Sequence, residues 1–177
     1  MENVNVRTGT RKMVIAGMLG AITIVLGATG LGFIPVPTPV GKATIMHIPV
    51  ILAAILEGPV VGAFTGFIFG LYSFLSPTGA VPADPFVRIV PRVLIGITSY
   101  YAYWVFRKNV NLGSIVAAIV GTVTNTVGFL GLAVLVGYIP LQVAYMIVVS
   151  HAIFEVILAA VITVVLVRVL HKYRESL

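Results

Sequence analysis

Cysteine is absent from the 177-residue chain, which excludes disulfides, a thiol nucleophile and a thiolate metal site. Charge is scarce: Asp, Glu, Lys and Arg make up 9% of the residues, against about a quarter in a soluble domain. Only five of those side chains are acidic, and there is no intramembrane carboxylate pair of the kind that suggests proton-coupled work. Equally missing are a Walker-type phosphate loop, a zinc-binding HExxH helix and a nucleophile elbow, so the sequence reads as a non-enzyme without ATPase motifs. The chain is also too short for a secondary transporter built from two repeats.

Hydrocarbon fills the space that charge leaves. Hydrophobic residues make up 59% of the chain and the mean hydropathy is +1.12, the composition of an integral membrane protein. The net charge of +6 does not point to nucleic acid, because the cations gather at the ends of apolar segments, where membrane topology explains them. Crossing about 30 Å of hydrocarbon takes roughly 20 residues at 1.5 Å each. Six runs qualify, at about 12–32, 43–57, 59–76, 85–106, 113–137 and 140–170, the second short and interrupted by Pro49. The first is too long for a signal-peptide core and reads as a retained span. Pro- and Gly-rich loops at 32–42 and 76–85, with tight turns at "EGP" and "GYIP", punctuate the runs. The expected fold is therefore all-α, a single membrane domain over 1–177 with six transmembrane helices.

Cation placement orients it. With an even number of spans, Arg7, Arg11, Lys12, Arg107, Lys108, Arg168, Lys172 and Arg174 fall on one side, while the opposite loops offer Lys42, with Arg88 just inside the fourth span. The positive-inside rule then makes both termini cytoplasmic and turns the two proline-rich loops outward.

Several polar residues inside the runs demand a partner or a task. Arg88 and Arg92, four apart, stack on one face of the fourth span. Lipid does not tolerate such charges readily, so they face a bundle interior or a wet cavity. Two readings stand: Arg88 reaching the outer headgroups while Arg92 caps backbone carbonyls, or an anion-binding ladder suited to a carboxylate or phosphate. His151 and Glu155 repeat the spacing on the sixth span. They are either a hydrogen-bonded pair that locks helix packing, or His151 touches substrate, with Glu155 the deeper and less direct of the two. Asn125, on the fifth span, lies at a depth comparable to Arg92 and His151, and either joins helices through its amide or converges on the same site. Tyr72, near the outer end of the third span, and Gln142 and Tyr145, near the start of the sixth, are placed to line an outward pocket. The Tyr100, Tyr101, Tyr103 and Trp104 cluster reads as an aromatic belt. In the first span, Ala16 with Gly20 and Gly17 with Ala21 form overlapping small-xxx-small pairs that allow close helix approach, within the bundle or to a partner protein.

The block "HIPVILAAILEGPVVGAFTGFIFGL", the pattern "DPFVRIVPRVLIG" and the small-residue first span together resemble the substrate-binding S component of an energy-coupling factor (ECF) transporter. The resemblance covers nearly the whole chain. It implies a multi-pass protein of the prokaryotic plasma membrane that captures a water-soluble vitamin outside and works with a membrane T component and two ATPase subunits of an ABC importer. It further implies docking on the T component through Ala16, Gly17, Gly20 and Ala21, with glycine standing where the family motif has alanine, and closure of the 33–42 loop over the site. The amino-terminal "MENVNVRTG" lacks the histidine of metal-specific members, which argues against nickel and cobalt. No cofactor is implied. The fourth span looks most like the pantothenate and hydroxymethylpyrimidine branch. Pantothenate, a carboxylate with hydroxyl and amide groups, suits Arg88 or Arg92 as anchor and Asn125 or His151 as hydrogen-bonding partners, whereas hydroxymethylpyrimidine is neutral and requires no arginine; riboflavin and folate stay open. Outside transport, two alternatives remain: a small lipid-modifying membrane enzyme using His151 and Glu155 as acid and base, and a purely structural membrane subunit.

Overall fold

The computed structural model describes residues 2–37, 42–77 and 81–175. Six helices occupy the apolar runs: α1 (Glu2–Ala28), α2 (Ile48–Glu57), α3 (Pro59–Leu75), α4 (Pro85–Val105), α5 (Val110–Leu135) and α6 (Leu141–Glu175). Three stretches, Gly9–Ala28, Val110–Leu135 and Leu141–Leu170, are long and apolar enough on their own to cross a membrane. Their outer faces are lipid-like: Met13, Ile22, Val127, Ile153 and Val161 are all exposed.

The architecture is helical as expected, with one short strand pair added in the first loop. Phe33–Pro35 (β1) and Lys42–Thr44 (β2) pair antiparallel, Phe33 opposite Thr44 and Pro35 opposite Lys42. The expected loop at 33–42 also contains 38–41, which lie outside the described residues. The strand and the turn after it take up 42–47, so the second run shrinks to the 10 residues of α2, roughly 15 Å of helix. Pro49 does not interrupt that helix; it sits in the first turn, where the missing N–H costs no ladder bond.

Proline and glycine set the remaining corners. Gly58, with φ of 101°, lets α2 reverse directly into α3, and Pro59 and Pro85 stand in the first turns of α3 and α4. Asp84 caps α4: its Oδ1 accepts from the Val87 N–H at 3.1 Å and its Oδ2 from the Tyr138 hydroxyl at 2.8 Å. Those bonds, the backbone one first, hold the Asp84 carboxyl below its ordinary value and tie the α5–α6 turn to the start of α4.

The closest helix approach runs between α3 and α4. Gly62, Gly66 and Gly70 repeat every fourth residue and so share one face of α3. A methyl group on Gly66 would run into the Arg92 carbonyl, and one on Gly96 into the Gly62 backbone. Backbone therefore lies on backbone along this seam, which places Arg92 at a fixed distance from α3. Beneath it, Met46, Val50, Ile51, Phe69, Ile95 and Ala117 form a buried core joining α2 to α5.

Candidate functional site

One cavity of about 370 Å³ opens among the helices, within the range of small-molecule sites. Phe69, Tyr72 and Ser73 of α3, Arg92 of α4, Asn125, Thr126 and Phe129 of α5, and Val143, Ile147, His151 and Glu155 of α6 form its walls. Phe33, Lys42, Thr44 and Met46 of the first loop cover it. With His151 neutral, Lys42 and Arg92 outweigh Glu155, leaving the lining one positive charge in excess.

Arg92 is prepared by its own helix. Pro91 has no N–H, so the Val87 carbonyl four residues earlier lacks its ladder donor. The Arg92 Nη1 donates to that carbonyl at 3.3 Å. Its guanidinium carbon lies 4.4 Å from the Phe129 ring centroid and 5.6 Å from that of Phe69. Two aromatic faces thus hold the cation, at a strength of about 0.5–2 kcal/mol each. Arg92 is 7% exposed, and its Nε finds no acceptor among the described residues. Asn125, 5% exposed, likewise has an Oδ1 without a donor among them. Buried polar atoms are ordinarily paired, so these two stand out, and both belong to residues that line the cavity.

Arg88, one turn from Arg92, has a different environment. Its Nε donates to the Pro82 carbonyl at 2.9 Å, Nη1 to the Ser73 carbonyl at 3.1 Å and to the Ser73 hydroxyl at 3.3 Å, and Nη2 to the Val81 carbonyl. The side chain is 2% exposed and does not line the cavity. These contacts fasten the 81–84 segment to α3, and Val81 in turn forms part of the cavity wall. Arg88→Met is expected to cost at least about 2 kcal/mol of stability, since several charge-assisted bonds disappear together, while ligand affinity changes little. Thermal melting beside a binding isotherm tests this separation; a large loss of affinity at unchanged stability would put Arg88 in the site.

Among the other expected site residues, Tyr72, Asn125 and His151 line the cavity, whereas Gln142 and Tyr145 are exposed on another face of α6. The reason is helical register. Counting back from His151 in fours gives Ile147 and Val143, both in the wall, and misses 142 and 145. Glu155 falls in the same register and also lines the cavity, where it accepts hydrogen bonds from Thr44 and Thr126. Sequence reasoning passed over Phe129 and Phe69, though Phe129 lies four residues after Asn125. It passed over His47 too: this fully buried residue lies outside the lining, with its Nε2 2.9 Å from the Thr122 hydroxyl.

The first-span pairs divide. Ala16 is buried near Ala53 and Val61, and a methyl on Gly20 would press on Ile68. Gly17 and Ala21 are exposed on the outer face.

The helices thus form a membrane bundle around a small cavity whose lining carries one positive charge in excess. The chain belongs to the ECF transporter substrate-specific components, whose family model matches residues 11–167. It is accordingly a transporter component rather than an enzyme, and a multi-pass protein of the plasma membrane. The pantothenic acid transporter PanT of Lactococcus lactis subsp. cremoris is 33% identical over 165 residues, covering 79% of this chain and 83% of that one. The pantothenate transporter PanT of Leuconostoc mesenteroides is 31% identical over 119 residues, covering 59% of this chain and 58% of that one. Among solved structures, the S component of a bacterial ECF transporter superposes with a TM-score of 0.67 at 24% identity, over 93% of this chain and 98% of that one, and so shares the fold.

Proposed function

We propose that the protein captures pantothenate at the outer face of the membrane as the substrate-binding subunit of an ECF-type importer. The observation that carries this reading is Arg92, a buried guanidinium in the cavity wall, stacked on Phe129 with an unpaired Nε. Such a group anchors a carboxylate through charge-assisted hydrogen bonds. Tyr72, Asn125 and His151 in the same wall offer partners for the hydroxyls and amide of pantothenate. The names of the two curated relatives agree with this choice. Hydroxymethylpyrimidine, being neutral, offers Arg92 no carboxylate to bind, and riboflavin and folate are larger.

In this reading all six helices cross or enter the bilayer as one membrane domain, both termini are cytoplasmic by the cation count, and the cavity opens outward beneath the first loop. A membrane T component and two ATPase subunits supply the energy. The exposed Gly17 and Ala21 face of α1, flanked by the exposed Met13 and Met18, is the surface offered to the T component, while Ala16 and Gly20 are occupied within the bundle.

A thermal-shift screen of the purified protein with pantothenate, hydroxymethylpyrimidine, riboflavin, folate, thiamine and biotin tests the substrate. A ligand that binds only the folded state stabilises it by about 2.7 kcal/mol at a hundred times its dissociation constant. Saturable stabilisation by pantothenate is expected. A response to another panel member with none to pantothenate overturns the choice of substrate.

A further inference from the structure

Glu155 carries the carboxylate in the cavity wall, and its hydrogen bonds point to a task other than holding a ligand. The Thr44 backbone N–H donates to Oε1 at 2.9 Å, the Thr126 hydroxyl donates to Oε2 at 2.7 Å, and His151 Nε2 lies 3.5 Å from Oε1. The residue is 4% exposed. A buried carboxylate is costly unless it is met by donors on several sides, and here one of those donors belongs to a strand 111 residues away in sequence. That strand, β2, packs on α6. Among the described residues its strand partner is the three-residue β1, and a two-stranded pair of this size is marginal in stability. Phe33 and Met46 also pack on the core, so a contact outside the pair matters most for β2, the strand that carries Lys42 to the cavity.

We propose that Glu155 is a positioning residue whose carboxylate seats β2 on α6, so that the first loop keeps its register over the cavity and a bound molecule leaves slowly. The part concerning ligand release rests on the cavity being the substrate site; the seating of β2 does not. Thr126 acts as a support, fixing the second carboxylate oxygen from α5.

The cysteine-free sequence allows a single thiol to report on the strand. Ala43 is fully buried in β2 beside Thr44, and Ala43→Cys therefore places a thiol where reagents reach it only when β2 lifts. Its modification by a small maleimide is followed in detergent without ligand, with Ala53→Cys, fully buried in α2 against Ala16 and Val61 and outside the cavity lining, as the reference. Adding Glu155→Ala is expected to speed Ala43→Cys labelling by about tenfold, the scale of one charge-assisted hydrogen bond, and to leave Ala53→Cys labelling unchanged. Glu155→Gln, which keeps an acceptor for the Thr44 N–H, should restore slow labelling. Should Glu155→Ala fail to yield folded protein, Thr126→Val, which removes the hydroxyl at constant volume, is expected to speed labelling at position 43 alone. Unchanged labelling at position 43, or equal acceleration at both thiols, overturns the proposal. Because no ligand is present, this outcome is independent of the substrate assignment. With pantothenate bound, the same variant should raise the dissociation rate and leave the association rate in place.

Discussion

Replacing Arg92 with methionine is expected to lower affinity for an anionic vitamin by at least about thirtyfold, because truncating one partner of a buried, hydrogen-bonded charge pair costs about 2–5 kcal/mol. Methionine preserves length and apolar packing against Phe69 and Phe129, and it removes a charge whose burial is a liability in the free protein. The folded protein should therefore remain extractable and melt no lower. Arg92→Lys separates charge from shape. Lysine retains a cation but loses the planar fork and the stacking on Phe129, so its affinity should fall between those of the parent and the methionine variant. Titration calorimetry with pantothenate and with its neutral alcohol analogue reads the difference. The alcohol should bind weakly to the parent and be indifferent to the substitution. Equal affinity of the parent and Arg92→Met for pantothenate would end the anchoring role.

The second large effect belongs to the glycine seam. Gly96→Ala places a methyl against the backbone of Gly62, and Gly66→Ala places one against the Arg92 carbonyl. Neither neighbour is a side chain that can swing aside. Overpacking in a core typically costs about 1–3 kcal/mol when side chains can adjust, and here two helices must separate, so a loss of at least about 3 kcal/mol is expected. Both variants should elute as aggregate or melt far below the parent, whereas Gly131→Ala, which meets nothing within 4 Å, should behave as the parent does. Size-exclusion profiles with thermal melts distinguish the cases. A milder outcome for Gly66→Ala is equally informative, since any separation of α3 from α4 moves the backbone that carries Arg92. In that event ligand affinity falls even where the protein survives. A wild-type melt and affinity for Gly96→Ala would refute the backbone contact.

Helix limits and much of the site were legible because they rest on local chemistry. Pro59, Pro85 and Gly58 mark where helices start or reverse, whatever packs around them. Arg92, Asn125 and His151 stood out as polar groups in apolar runs, and they line one cavity. Arg88 shares the face of Arg92 and the same residue type, and only the folded path of the 81–84 segment, which brings two loop carbonyls to its guanidinium, separates their environments. Gln142 and Tyr145 were singled out for their depth near the start of α6, when the informative quantity was angular register with His151. The glycines at 62, 66 and 70 share the four-residue spacing seen in α1, yet which helix they meet depends on tertiary contact. The β1–β2 pair was invisible for a related reason: three-residue strands have too little alternation to register, and Thr44 is held by a carboxylate on the last helix.

The hydrogen bond from Arg92 to Val87 has a consequence for synthesis. Helix α4 emerges from the ribosome before Asn125, Phe129 and Glu155 have been made, so during insertion the α5 and α6 walls of the cavity do not yet exist to shelter its cation. The carbonyl left over by Pro91 belongs to the same helix and is five residues away. A nascent α4 thus brings its own acceptor into the bilayer, and the arginine can enter lipid with part of its charge already answered, to be handed to the Phe129 face only as α5 arrives.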